Sequence, residues 1–251
     1  MEEKIRYGLL DTLRGAAIVS MAAYHAVWDC VYMFYISLPW FRGTLGRLWQ
    51  QSICWTFILL SGFCMALGRN TPKRGLTVFL AGALVSVVTM VFMPSQGILF
   101  GVLTLIGSCM LIGAAAARPL EKCPPFIGAA VCALLFLLTW GVNDGWIGIG
   151  GIELARLPRG LYRGLLASYL GFTAPGFSSA DYFSLLPWGF LFFCGYFVSR
   201  IWQKAGRMEF FNRRGIPALN FLGRHSLVIY IVHQPLIYGV LWAVFWMMGR
   251  I

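Results

Sequence analysis

Charge is scarce in this chain. Of its 251 residues 12% are Asp, Glu, Lys or Arg, while 59% are apolar. A soluble domain of this size carries about twice that charge. The expected class is therefore an all-α integral membrane protein. One polytopic bundle uses the whole length, so residues 1–251 read as a single domain. Acidic residues are scarcer still, nine against twenty basic ones, for a net charge of +11. The basic residues fall in short clusters between apolar runs. That pattern points to topology signals and anion sites and away from a nucleic-acid face. Seven cysteines are scattered with no CxxC pair, most of them inside apolar runs. They read as small packing residues, and neither a metal site nor a disulfide framework is supported. A secretory leader is not indicated either. Asp11 and Arg14 interrupt the first apolar stretch, and no small-residue cleavage site follows it. Finally, there is no internal repeat, which weakens a transporter built from inverted halves.

Apolar runs long enough to cross a bilayer, about 20 residues each, are present. They lie at roughly 12–37, 49–68, 75–93, 98–117, 124–141, 182–203 and 219–248, giving about seven transmembrane helices. With the N-terminus in the cytoplasm, the inner segments hold twelve Lys and Arg residues and the outer segments six. The positive-inside rule thus favours a multi-pass protein of the cell (inner) membrane with a cytoplasmic N-terminus. The long stretch from 142 to 181 contains "ARLPRGLYRGLLASYLGF", where Arg156, Arg159 and Arg163 recur among apolar residues. A re-entrant or interfacial helix over 157–172 is one reading, its arginines reaching to headgroups. A lip that contacts an acceptor at the outer mouth is the other.

The first run carries ionisable groups that are costly in hydrocarbon. At about 100° per residue, Asp11, Met21, His25, Trp28, Asp29 and Tyr32 all fall within about 60° of Arg14. Ala16, Ala17, Val19, Ala23 and Val27 lie largely elsewhere. A shared polar face points into a bundle or a wet cavity. His25 and Asp29 are at i and i+4, so their side chains can meet. Asp29 would then fix the imidazole's tautomer and stabilise its protonated form, as a general base requires. A buried structural ion pair is the alternative. From Asp11 to His25 the helix rises roughly 21 Å. The last run, "LGRHSLVIYIVHQPLIYG", repeats the theme. Arg224 stands near one end, and His233 and Gln234 near the middle, just before Pro235. A proline there kinks a helix and frees a carbonyl. His233 fits either structural hydrogen bonding or a place in a site.

The stretch "LLDTLRGAAIVSMAAYH" resembles the start of the heparan-alpha-glucosaminide N-acetyltransferase catalytic-domain family. The shared pattern is a basic residue, D-x-x-R-G, a small apolar run and Met. "FILLSGFCMALGR", "ILFGVLTLIGSCML" and "DYFSLLPWGFLFFCGYFVSR" resemble later spans of that family. "LGRHSLVIYIVHQPLI" resembles its closing span, which the wider membrane-bound acyltransferase superfamily shares. Eukaryotic members are longer and have more spans. The chain is similar to a short bacterial version, so its acceptor need not be a heparan sugar.

The resemblance implies an acyl-CoA donor, with acetyl-CoA the first choice, bound from the cytoplasm. It also implies a hydroxyl or amine acceptor on the other side, a carbohydrate or a lipid-linked one. Coenzyme A is a polyanion, and arginine suits phosphate by its forked geometry. The candidates to bind it are Arg6, Arg14, Arg69, Lys73, Arg74, Arg200 and Arg224, with Asp11 orienting Arg14. The loop members are also what topology signalling alone would place there. His25 and Asp29 are the catalytic candidates, acting directly or through an acyl-histidine. Trp28, His233, Gln234 and Asp181 are candidates for substrate contact or support. No metal and no nucleic acid is implied; the partners are membrane lipid and the two substrates, and a homodimer is compatible. A proton-coupled transporter is the alternative, since a His–Asp pair also suits a proton relay. Haem binding would need paired histidines on facing helices.

Overall fold

The computed structural model describes residues 7–250. Arg6 lies outside the described residues. The order is α1 (Gly8–Tyr32), α2 (Pro39–Arg42), α3 (Thr44–Met65), α4 (Thr71–Phe92), α5 (Val102–Ala115), α6 (Ala117–Lys122) and α7 (Pro125–Leu138). A hairpin follows, β1 (Trp146–Ile149) and β2 (Ile152–Arg156), then α8 (Gly164–Leu170), α9 (Leu185–Lys204), α10 (Pro217–Arg224) and α11 (Ser226–Met247). Prolines open α2, α4, α7 and α10. A helix's first turn has spare N–H groups, so proline starts it at no cost.

The protein is an α-helical membrane protein. By length and composition, four helical stretches among the described residues can cross a membrane: Thr71–Phe92, Pro125–Asp144, Leu185–Lys204 and Ser226–Met247. Helix α4 exposes Leu76, Leu80, Leu84, Val87 and Val91. Water does not tolerate such a contiguous apolar surface, whereas lipid does. Three of the seven expected spans, those at 12–37, 49–68 and 98–117, are not among these four stretches, and the one at 219–248 is shortened. The run at 98–117 becomes α5, whose 14 residues rise only about 21 Å. The run at 219–248 is broken at His225, which separates α10 from α11.

No continuous helix forms over 157–172. Arg156 ends β2, Arg159 begins a single 3₁₀ turn, and Arg163 is extended ahead of the seven-residue α8. The cause is local. Pro158 offers no N–H, and Gly164 takes a positive φ of 81°. The three arginines therefore do not share a helical face.

The described chain divides into two compact units, Met1–Phe57 with Gly206–Ile251, and Ile58–Ala205. In the second, α4 packs on α5, α7 on α9, and the hairpin against α7. Residues Val102 to Met110 of α5 are all buried. In the first unit, α1 packs on α10 and α11. Its core holds Ile18, Met21 and Ile53, covered by Tyr24, Trp49, Phe57, Leu222, Ile229 and Tyr230.

Two glycines bring α1 and α10 together. A methyl group at Gly15 would overlap the carbonyl of Leu219, and one at Gly223 would overlap the carbonyl of Asp11. Small residues permit such backbone approach between apolar helices. A buried bond, Thr12 Oγ1 donating to Asn220 Oδ1 over 2.6 Å, fixes the contact further.

Candidate functional site

The polar face of α1 turns inward. Asp29 is fully buried and Ile18 and Met21 lie in the core, whereas Leu13 and Val19 on other faces are over 40% exposed. Two groups of polar residues occupy this face, near its two ends.

At the first end, Asp11 holds two cations. Arg14 Nη1 lies 3.3 Å from Asp11 Oδ1, and Arg224 Nε lies 3.5 Å from Oδ2. Arg14 comes from α1 and Arg224 from the last turn of α10. The glycine contacts above set the distance between these helices. One carboxylate thus draws two guanidiniums from different helices together, the pair of forked cations that suits a phosphate.

At the second end, α1 meets α11. Gln234 Nε2 donates to Asp29 Oδ1 over 2.7 Å. His233 Nδ1 lies 2.6 Å from the carbonyl oxygen of Tyr230. The rings of His25 and His233 meet edge to face, with centroids 4.8 Å apart. Pro235 follows directly and has no N–H to give to the carbonyl of Ile231. The structure thus brings together His25, Asp29, His233 and Gln234. It corrects one detail of the i, i+4 expectation: the hydrogen bond of Asp29 goes to Gln234 and not to the imidazole of His25. The glutamine reaches the carboxylate from the facing helix, which one-helix periodicity does not reveal.

Three buried atoms here have no hydrogen-bond partner among the described residues: Asp29 Oδ2, His233 Nε2 and Gln234 Oε1. Buried polar atoms are almost always paired in native proteins. Three orphans at one place mark a site with more hydrogen-bonding capacity than the fold uses.

The other sequence candidates lie elsewhere. Trp28 packs at a tilt against Tyr32 of its own helix, with ring centroids 5.0 Å apart. Asp181 belongs to the second unit, where its Oδ2 accepts from the N–H of Val102 and caps the start of α5. Lys73 and Arg74 occupy the first turn of α4, where the helix dipole disfavours cations. Arg69 precedes them in the same unit. Arg200 donates to the carbonyls of Leu120 and Glu121 at 2.6 and 3.0 Å, closing the end of α6. That structural role accounts for its guanidinium. Among the described residues no group of three or more His, Cys, Asp or Glu is placed to hold a metal.

Sequence reasoning missed two contributors. Asn220 anchors α10 to α1 through Thr12, and the sign was a polar residue on the buried side of a short amphipathic helix. The Tyr230 carbonyl orients His233, and it has no side-chain signature at all.

No curated protein and no solved structure matches the chain. One family does, described as "Heparan-alpha-glucosaminide N-acetyltransferase, catalytic", over residues 6–235. That interval contains Asp11, Arg14, His25, Asp29, Arg224, His233 and Gln234, both polar ends of the α1 face together. The chain belongs to the heparan-alpha-glucosaminide N-acetyltransferase catalytic family, a family of membrane acyltransferases.

Proposed function

We propose that this protein transfers an acyl group, acetyl in the first instance, from acyl-CoA to a hydroxyl or amine acceptor such as a sugar. Coenzyme A binds at the cytoplasmic end of α1, where Arg14 and Arg224 flank Asp11. Its phosphates meet the paired guanidiniums of Arg14 and Arg224. Roughly 21 Å of helix rise separates this end from His25, the distance the pantetheine arm has to span. The reacting centre is the group that contains His25 and Asp29, toward the outer side. There an imidazole takes the proton from the acceptor's nucleophile while the thioester is attacked.

The observation that carries this reading is the buried, under-used set of Asp29, His233 and Gln234 atoms beside His25. A structural ion pair would have used them. A reacting centre leaves them for the substrate. Direct transfer needs only a base here, and an acyl-histidine route would use the same imidazoles.

The test is turnover by the purified full-length chain in lipid nanodiscs. Glucosamine is a suitable acceptor probe, because it carries both an amine and hydroxyls. With acetyl-CoA present, free CoA thiol and acetylated glucosamine should appear in equal amounts. Absence of both, in a chain that remains folded, would refute the reading.

A further inference from the structure

Tyr230, His233 and Gln234 occupy one turn of α11, and together they determine where a proton can go. The carbonyl oxygen of Tyr230 is 2.6 Å from His233 Nδ1. A carbonyl only accepts, so Nδ1 carries the hydrogen. In the neutral ring the other nitrogen, Nε2, is then a bare lone pair. That nitrogen is buried and has no partner among the described residues.

The same logic fixes Gln234. Asp29 Oδ1 is a carboxylate oxygen and an acceptor, so the amide turns its NH₂ toward it. Gln234 Oε1 is left facing away, buried and unpaired. With Asp29 Oδ2 the three orphan atoms are all acceptors, and none is a donor. A thioester carbonyl, which only accepts, gains nothing from them. A nucleophile bearing X–H hydrogens matches them.

We propose that His233 Nε2 is the atom that receives the proton of the acceptor's nucleophilic group. The carbonyl of Tyr230 holds the ring in the tautomer that makes it a base. Asp29 Oδ2 and Gln234 Oε1 accept neighbouring hydrogens of the same molecule. This inference rests on the acyltransferase reading. The X–H bond breaks and its proton goes to Nε2 as X bonds to the acyl carbon. The carbon–sulfur bond then breaks, and the imidazolium returns the proton to the departing thiolate. The products are the acylated acceptor and free CoA thiol, and the ring is regenerated. His25, edge-on to His233 at 4.8 Å, forms the adjoining wall of this subsite.

Two measurements test it, both on the full chain in nanodiscs. The chain has three histidines, so ¹⁵N-histidine labelling gives a short spectrum, and the signal lost in His233→Gln identifies His233. The expected pattern is the tautomer with hydrogen on Nδ1 and a bare Nε2. A signal from the opposite tautomer overturns the proposal, whether or not His233→Gln itself folds well enough for kinetics. In turnover of acetyl-CoA with glucosamine, His233→Gln should fall about 10²–10⁴-fold, the usual worth of a general base, with acetyl-CoA binding unchanged. Wild-type turnover in that variant overturns the proposal while leaving the acyltransferase reading intact. A wild-type chain with the expected tautomer but no turnover overturns the acyltransferase reading, and the proton transfer with it.

Discussion

Gln234 donates its side-chain amide to the buried carboxylate of Asp29, 205 residues away in sequence, across a 2.7 Å contact between two helices. The bond ties α11 to α1 at the level of the two histidine rings. It also decides which oxygen of each partner is left unpaired.

Gln234→Leu should therefore destabilise the protein. It leaves both oxygens of a fully buried carboxylate without a donor. Stranding such a group costs about 1–3 kcal/mol or more. Thermal melting in nanodiscs should show the loss. Asp29→Asn should be milder, because an amide oxygen still accepts from Gln234. Equal melting temperatures for Gln234→Leu and wild type would mean that the bond contributes nothing.

Arg14→Ala and Arg224→Ala should each weaken coenzyme A binding while the helices still form. One charge-assisted phosphate contact is worth about 1.5 kcal/mol at a partly exposed site, roughly tenfold in affinity. Binding calorimetry reads the effect directly. Unchanged affinity in both variants would place the phosphate cradle elsewhere.

Gly15→Ala and Gly223→Ala should disturb that same end from within the packing. Each added methyl overlaps a backbone carbonyl of the facing helix, and backbone cannot rotate aside as a side chain can. Overpacking of this kind costs about 1–3 kcal/mol. Gly223→Ala should also weaken coenzyme A binding, because it separates Arg224 from Asp11. A melting temperature equal to wild type in both variants would show that α1 and α10 can move apart freely.

His25→Ala should lower acyl transfer with coenzyme A still bound, because it removes the ring that walls the subsite beside His233. His25 and His233 act at one place, so the double variant should be little worse than either single one. The wild-type rate should fall as the medium becomes acidic, because a protonated imidazole cannot accept a proton. Rates measured across a pH series for the wild type and the three variants test both points. Additive losses would separate the two rings.

Much of this was legible in the chain itself. Periodicity placed Asp11, Arg14, His25 and Asp29 on one face of α1, and the structure turns that face inward. His233 and Gln234 stood out as polar residues in an apolar run. The pairings were not legible. Periodicity tells which face is polar, but not which helix comes to meet it, so Asp29 was matched with His25 four residues away and not with Gln234. Arg14 and Arg224 were both named, yet their convergence on one carboxylate depends on the backbone approach at Gly15 and Gly223. The hairpin was readable and missed. "IGIGGIEL" alternates large and small residues around Gly150 and Gly151, both at positive φ, a two-residue hairpin turn. The arginines nearby favour a helical reading of the segment that follows it.

The central claim is that acyl transfer joins a donor on the cytoplasmic side to an acceptor on the other. It is tested most directly in sealed proteoliposomes, with ¹³C-acetyl-CoA supplied only to the face that carries Arg14 and Arg224 and glucosamine only to the opposite face. The account predicts labelled acetyl on the glucosamine and free CoA on the donor side. No label on the glucosamine, with intact vesicles and folded protein, would contradict it.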